Sequence, residues 1–436
     1  MSFKLSDKEK FLINFEGQDF SNEGKNFIKV RELALEHLKE SEFPTTKDEL
    51  WKYTSVSNIL RDEFKPQTSI NNRNIDDHKI AGLDAYQLVF INGFFAPAFS
   101  TIIDDEHAPF VIMNINAAKG KFGPFMETYF GTLAKAKMNS FIALNSAYSQ
   151  DGLYLNVKNG EKLDKPVHVI FLNEGSKISS QPRNLIVIGK NAKAEVIFSY
   201  DTIETDNALT NSISEYVVLD GGKLTVNKLQ YENDATNHIS TDSVYQQKNS
   251  QFHINTFPLS GKMIRNNLHI QLDGSTADAK LYALNYVNGK EHFDNNTFVE
   301  HIKPHCTSTE LYKSVVNDEG TSVFNGKIKV HKDAQKTQAF QSNANIIGDD
   351  NAKAYSKPEL EIYADDVKCS HGSTTGQFDA EALFYLRARG IKESSAKKLL
   401  LNAFAAEVLD NVENGVVREF IEKQIEKKLQ ATSAAQ

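Results

Sequence analysis

The opening third of the chain has the hydrophobic spacing of helices, interrupted once. Between residues 6 and about 65, apolar residues recur at intervals of three and four, which is the period of an amphipathic helix. Residues 109–150 show the same spacing. Between the two stretches, apolar runs flank Asn92-Gly93, a dipeptide that tolerates the positive φ angles of a tight turn and so predicts a β-hairpin. We therefore assign residues 1–150 to an N-terminal helical and mixed region.

The pattern changes to strict alternation from about residue 151 to residue 378. The stretches from Leu268 to Leu272 and from Lys327 to His331 are clear examples, and short breaks rich in Asn, Asp and Gly separate such runs. More than 200 residues of short strands predict a sandwich, a barrel, a propeller or a parallel β-solenoid. No fixed-length repeat is evident, which argues against a propeller with signature motifs. The period alone leaves the other architectures open.

Helical spacing returns in residues 379–436. A first helix ends at Arg389-Gly390, since glycine accepts the left-handed conformation of a helix end. A second helix begins near Ser394, and a third contains an apolar stripe that begins at Val416. A helical unit this small needs a larger body or a partner to cover its apolar face.

Composition and charge narrow the class of protein. The chain of 436 residues is 40% hydrophobic and 24% charged, with a formal net charge of −8, so it lacks the basic balance typical of nucleic-acid-binding proteins. No apolar run approaches the roughly 18 residues of a membrane span, and the first residues lack the apolar core of a secretory signal. We expect a cytoplasmic protein that binds neither nucleic acid nor membrane.

Common catalytic and nucleotide motifs are missing. The Gly-Lys pairs lack the preceding glycine of a P-loop, and neither G-x-G-x-x-G nor G-x-S-x-G occurs. The two cysteines, Cys306 and Cys369, are too few for a disulfide framework or for a four-thiolate iron–sulfur cluster within one chain. Nothing here indicates nicotinamide binding or a hydrolase, and any ATP-driven step would need another subunit.

Two short segments carry metal-ligating side chains. One contains His301, His305 and Cys306, and the other contains Cys369 and His371. Thiolate and imidazole are ligands for zinc and iron, and the last two residues share one strand face because they are two positions apart. His305, Cys306, Cys369 and His371 together would make a tetrahedral site. Alternatively, Cys306 is a small buried residue and the histidines are solvated or hydrogen-bonded.

Glu359 and Glu361 form a pair of carboxylates on one face of a strand. Such a pair can act as acid and base, as in a carbohydrate-active enzyme, or can bind iron. A solvated strand face is the simpler interpretation, and both interpretations remain open at this point.

The C-terminal segments resemble the SufB/SufD family of the SUF iron–sulfur assembly system. The resemblance is specific from Lys357 to Gly372 and continues in a helical stretch, Leu383-Phe384-Tyr385-Leu386-Arg387-Ala388-Arg389-Gly390-Ile391. It extends upstream to His305-Cys306, Val323-Phe324-Asn325-Gly326 and Gln341-Ser342-Asn343. SufB chains carry a Glu-His-Glu segment where this chain has Cys369-Ser370-His371, so the resemblance is to the SufD branch.

The resemblance implies both a fold and a role. The fold is mainly β: a right-handed parallel β-helix over residues 151–378, flanked by N-terminal and C-terminal helical regions. Chains of this branch pair with SufB through the β-helix and bind the ATPase SufC through the C-terminal helices. The implied role is a non-catalytic scaffold, a homodimer when isolated, with no stably bound cofactor.

The resemblance also implies a site. A nascent iron–sulfur cluster would form transiently at the SufB–SufD interface, where His371 and Cys369 contribute to a metal site shared with the partner. His305, Cys306, Glu359 and Glu361 are weaker candidates. The competing hypothesis is a self-contained metalloprotein that binds metal through both Cys/His segments.

Overall fold

The strands form a parallel β-solenoid made of two facing sheets. The computed structural model describes residues 5–65 and 74–434. Sheet 1 has the order β2-β1-β5-β8-β10-β12-β14-β16-β18-β20, and sheet 2 has the order β19-β17-β15-β13-β11-β9-β7-β4-β3, with β6 paired to β9. Neighbours are parallel except at β1–β2 and β3–β4, which are antiparallel. The alternating pattern over residues 151–378 is therefore that of a solenoid, as the family resemblance implies.

The strand bounds of sheet 1 are β1 (Tyr86–Ile91), β2 (Phe94–Phe95), β5 (Val167–Glu174), β8 (Lys193–Ile203), β10 (Lys223–Tyr231), β12 (Gln251–Ser260), β14 (Asp278–Val287), β16 (Thr307–Val316), β18 (Gln338–Ile347) and β20 (Lys368–Gly376). Those of sheet 2 are β3 (Phe110–Asn114), β4 (Leu153–Val157), β6 (Ile178–Ser180), β7 (Arg183–Ile188), β9 (Ala208–Val218), β11 (Thr236–Gln246), β13 (Met263–Leu272), β15 (His292–His301), β17 (Thr321–Val330) and β19 (Lys353–Ile362).

Among the described residues, two helices precede the first strand, two lie between β3 and β4, and three follow β20. The helices are α1 (Asp7–Ile13), α2 (Lys25–Glu40), α3 (Ile115–Met126), α4 (Ser140–Tyr148), α5 (Ala380–Ala388), α6 (Glu393–Leu409) and α7 (Gly415–Ala434). Short 3-10 helices occur at Glu49–Trp51, Ile59–Arg61, Asp76–His78, Pro97–Phe99 and Ala136–Met138.

Each coil of the solenoid places alternate residues inside. In β17 the buried positions Ile328 and Val330 alternate with Lys327 and Lys329, which point outward. Registered partners along sheet 1 are 27 to 31 residues apart: Leu224, Phe252, Ala279, Ser308, Ala339 and Cys369. Because coil length varies, the stacking leaves no fixed repeat in the sequence.

The two helical regions cover opposite outer faces of the solenoid. The N-terminal region packs on sheet 2, in a buried cluster that contains Phe11, Trp51, Phe141, Leu209, Ile239 and Met263. Helices α6 and α7 pack on sheet 1, in a cluster that contains Val408, Val417, Ile421, Leu229, Phe257 and Leu284. Burial of these side chains stabilises the fold by about 1.5–3 kcal/mol each. The solenoid is thus the body that the small C-terminal helices need.

A buried ion pair fastens the N-terminal region to sheet 2. The guanidinium of Arg183 donates to the Glu215 carboxylate at 2.6 Å, and both side chains are fully buried. Glu215 also accepts from the backbone N–H groups of Gly131, Leu133 and Ala134 at 2.8–3.1 Å. These contacts leave no part of the carboxylate without a donor, which makes its burial tolerable.

The local predictions for the first 150 residues are partly correct. The hairpin at Asn92-Gly93 is confirmed, with positive φ angles at both residues. The interpretation of residues 109–150 as helical misses β3, a fully buried strand. The run of four apolar residues from Phe110 to Met113 would look the same in a buried strand and in a buried helix, so spacing does not separate the two. No helix within the described ranges has the length and hydrophobicity to span a membrane.

Candidate functional site

The C-terminal end of the solenoid is formed by two exposed strands. β19 and β20 are the terminal strands of their sheets, so each pairs along one edge only. No residue of β20 is buried on either face, whereas alternate residues of the preceding β18 are buried. The outer edges therefore present backbone N–H and C=O groups to solvent over about ten residues each.

Cys369 and His371 share the inner face of β20. Their registered partners on β18 are Ala339 and Gln341, which are both buried inside the solenoid. The expectation that the two side chains leave the strand by one face is confirmed. Cys369 is half-buried against the solenoid core, and this burial raises the pKa of its thiol. His371 is exposed at the open end.

The upstream segment lies in a different environment. Cys306 is fully buried, its thiol donates to the Gly274 carbonyl at 3.2 Å, and burial raises its pKa to about 11. His301 is also buried, where it bonds to the Ser308 hydroxyl at 2.9 Å, and burial lowers its pKa to about 3. His305 is exposed in a turn with a φ of 63°. Cys306 is thus a buried core residue.

The structure does not bring the two Cys/His segments together. Ser308 is in register with Ala339 and Cys369 across three strands, so two strand spacings, about 10 Å, separate Ser308 from Cys369. Cys306 lies two residues before Ser308 and is farther away. Within the ranges that the structure describes, no group of three or more His, Cys, Asp or Glu side chains is arranged to hold a metal ion. The tetrahedral site expected from His305, Cys306, Cys369 and His371 is not formed.

Glu359 and Glu361 point outward from β19 and share one lysine. The Lys327 ammonium lies 3.2 Å from the Glu359 carboxylate and 2.5 Å from that of Glu361. The hydrogen bond from Lys327 to Glu361 is the largest of the contacts that raise the lysine pKa. Glu359 also lines a groove of about 650 Å³ between sheet 2 and the N-terminal region. The ion pairs favour a charged strand face over an acid–base pair.

Two polar residues beneath His371 were not predicted from the sequence. Gln341 and Glu310 occupy successive inward positions on β18 and β16, directly below His371 on β20. Both are buried, and burial raises the pKa of Glu310 to about 7. Gln341 belongs to a motif noted for its family resemblance, but its inward direction depends on strand register. No property of the sequence near Glu310 indicates burial.

Helix α5 lies next to the open end and exposes aromatic side chains. Asp379 caps its N-terminus by accepting from the backbone N–H groups of Glu381 and Ala382. None of its residues is buried, and Phe384 and Tyr385 are 73% and 55% exposed. Arg389 stacks on the Tyr385 ring at 4.6 Å. Exposed aromatic residues on this scale are typical of a protein-binding surface.

The open end offers an incomplete set of metal ligands. Cys369 and His371 supply one sulfur and one imidazole nitrogen, whereas zinc and iron–sulfur centres take four protein ligands in a closed site. This chain alone therefore fills only two of the four ligand positions of such a centre at its open end.

Comparison with known families covers most of the chain. Residues 171–404 match the model described as "SUF system FeS cluster assembly, SufBD core domain". Residues 17–169 match the model for the SufBD protein N-terminal region.

Individual relatives are similar over nearly their whole length. A SufBD family iron–sulfur cluster assembly protein of Synechocystis is 29% identical, over 93% of this chain and 92% of the relative. The iron–sulfur cluster assembly protein SufD of Escherichia coli is 28% identical, over 94% and 95%. SufD of Bacillus subtilis is 23% identical, over 98% and 99%. The two family models match in order along the chain, and the core-domain model covers more than half of it. This chain therefore belongs to the SufBD family of iron–sulfur cluster assembly proteins.

Proposed function

We propose that this chain is a non-catalytic scaffold subunit of a SUF assembly complex and that it contributes His371 and Cys369 to a nascent iron–sulfur cluster. The observation that carries the proposal is the pair of ligands on the inner face of β20, at the exposed end of the solenoid. The cluster is the cargo of this site, and the missing ligands come from a partner.

The open edges of β19 and β20 support a partner that docks end to end. Unpaired strand edges bind a second strand through backbone hydrogen bonds, which is a common mode of protein association. SufB is the partner we propose, because the family resemblance pairs the two chains through their solenoids. In the isolated protein, a second copy of this chain would take that place.

The exposed aromatic residues of α5 support a second partner. Helices α6 and α7 are fastened to sheet 1, so their apolar residues are largely used within the chain. Phe384 and Tyr385 remain exposed, and the chain has no P-loop of its own. We propose that these residues contribute to the contact with the ATPase SufC.

The chemistry of the site follows from its two ligands. Neutral imidazole binds iron through its bare nitrogen, and the Cys369 thiol must lose its proton before it binds. Because burial raises the pKa of that thiol, Cys369 loses its proton less readily than an exposed cysteine does. His371, which is exposed, is therefore the ligand available first.

The test is cluster maturation in cells that depend on the SUF system. His371→Ala should abolish maturation of a reporter iron–sulfur enzyme while the complex with SufB and SufC still co-purifies. Ser370→Ala is the matched control, since this residue is exposed on the opposite face of the same strand. Full maturation with His371→Ala would contradict the proposed site.

Metal analysis of the isolated chain separates the scaffold from a self-contained metalloprotein. Iron, zinc and acid-labile sulfide are measured after anaerobic purification, beside the Cys369→Ser variant. We expect no stoichiometric metal in either protein, because two ligands at an exposed edge do not make a closed site. One tightly bound metal ion that is lost in Cys369→Ser would contradict the scaffold and favour the metalloprotein.

A further inference from the structure

Gln341 lies directly beneath His371 with half of its amide unused. The two residues are registered partners on β18 and β20, with side chains on the same inner face and a strand spacing of about 4.8 Å. Gln341 is 97% buried, since only 3% of its surface is accessible. Its Oε1 atom is buried and has no hydrogen-bond partner among the residues described. A buried carbonyl oxygen left unpaired costs free energy, so it points to a partner.

Glu310 determines which end of the amide is unused. The Nε2 group of Gln341 donates to Oε1 of Glu310 at 3.3 Å, and the Thr297 hydroxyl donates to Oε2 at 2.6 Å. An ionised carboxylate only accepts hydrogen bonds, so the amide nitrogen must face Glu310. The amide oxygen is then the end that remains for another group.

The facing sheet leaves room for this amide. Gly326 on β17 points inward opposite Gln341, and a Cβ atom at this position would overlap Nε2 of Gln341. An alanine would therefore displace the amide from its contact with Glu310. In sheet 2, Gly326 is in register with Thr297 on β15 and with Pro358 on β19.

A neutral imidazole carries one N–H group and one bare nitrogen, and only the bare nitrogen can bind a metal. A hydrogen bond to one ring nitrogen therefore decides which of the two is the ligand, as it does for many metal-bound histidines. We propose that Gln341 is a positioning residue that accepts the N–H of the inner ring nitrogen of His371 and so keeps the outer nitrogen bare toward the open end. This inference rests on the proposed function of His371.

The experiment measures the tautomer of His371 directly. The full chain is labelled with ¹⁵N-histidine and studied by NMR at about pH 8, where Glu310 is mainly ionised because its pKa is about 7. The signals of His371, one of 12 histidines, are identified by their loss in His371→Asn. We expect one dominant tautomer in the natural chain. In Gln341→Met, which has similar length and no acceptor of this kind, the tautomer ratio should change by about three- to tenfold, as the loss of one hydrogen bond predicts.

Two further variants distinguish the loss of this hydrogen bond from a general loss of packing. Glu310→Gln keeps the shape but no longer dictates the direction of the Gln341 amide, so it should also reduce the preference. Asn343→Ala is the control: Asn343 is buried on the same face of β18, two residues along, beneath Ser373 instead of His371. It should leave the His371 tautomer unchanged.

The inference is overturned by an unchanged ratio in Gln341→Met, or by an equal change in Asn343→Ala. Its failure is distinguishable from failure of the proposed function. A His371 that holds one tautomer through Gln341 but is dispensable for maturation would refute the function only. A His371 that is essential for maturation but indifferent to Gln341 would refute this inference only.

Discussion

The middle and the end of the solenoid each contain a histidine and a cysteine, and the two pairs differ in their exposure to solvent. In the middle, His301 and Cys306 are fully buried, and burial lowers the pKa of the imidazole to about 3 and raises that of the thiol to about 11. At the end, Cys369 is half-buried and His371 is exposed. Each inner coil is covered by the next one, whereas the last coil is not.

The difference teaches that position along the solenoid axis decides reactivity. A thiol and an imidazole within a stack of coils lose access to solvent and remain uncharged. The same groups on a terminal strand keep access to solvent, which the proposed metal binding requires.

The largest effect is expected from breaking the buried ion pair of the interior. Arg183→Ala removes the guanidinium and leaves Glu215 charged and buried, which should destabilise the fold by about 3–5 kcal/mol. Urea unfolding, followed through the fluorescence of Trp51, measures the loss. A loss below about 1 kcal/mol would mean that water reaches this carboxylate and that the interior of the solenoid is not closed to solvent.

The next effect concerns pH and Glu310. Its pKa of about 7 in the fold lies above the ordinary 4.5, so between these values the folded state binds more protons than the unfolded state. Stability should therefore fall as pH rises from 4.5 to 7 and level off above 7, by about 3 kcal/mol at most from this group. Glu310→Gln should remove that part of the pH dependence.

Unfolding midpoints at pH 5 and pH 8, compared between the natural chain and Glu310→Gln, isolate this contribution from the other titrating groups. If the midpoint changed equally between pH 5 and pH 8 in the two proteins, the prediction that Glu310 is protonated in the fold below pH 7 would be wrong.

The two cysteines should differ in alkylation rate. At about pH 8 the Cys306 thiol is almost entirely protonated and fully buried, whereas Cys369 is half-buried at the end of the solenoid. We expect iodoacetamide to modify Cys369 at least about 100 times faster in the native chain. Mass spectrometry of the two cysteine peptides gives both rates, and equal rates after unfolding in urea serve as the control. Equal rates in the native chain would refute the contrast.

The smallest effect is expected at an exposed ion pair near the open end. Lys336 pairs with Asp366 between the turns before β18 and β20, and both side chains are more than half exposed. Lys336→Ala should change the midpoint of thermal unfolding by less than about 2 °C, because solvent screens such pairs. If Lys336→Ala lowered the free energy of unfolding as much as Arg183→Ala does, ion pairs at the end and in the interior of the solenoid would not differ in strength.

The sequence predicts the elements of this fold better than their arrangement. Alternation marks β13 and β17, and Asn92-Gly93 marks the hairpin, because side-chain direction and turn geometry are local properties. Which strand lies beside which is not local. Coils of 27 to 31 residues differ in length and repeat no side chain, so the solenoid could be chosen only through the family resemblance.

Of the candidate site, the relative placement of neighbouring side chains was predictable from residue spacing. Cys369 and His371 are two residues apart, and this spacing places them on one face. Cys306 has the same chemistry, and only its three-dimensional surroundings make it inert. The positions of Glu310 and Gln341 beneath His371 follow only from strand register, which places residues about 30 positions apart side by side.

The far end of the solenoid differs from the open one. There β2 has only two residues and runs antiparallel, β3 is also antiparallel, and Ile103 pairs with Ile112 along its outer edge. Short and covered edges resist further strand pairing. If a partner docks on β19 and β20 as proposed, only one end of the solenoid would be available for strand pairing, and end-to-end association would stop at two molecules instead of continuing into a fibre.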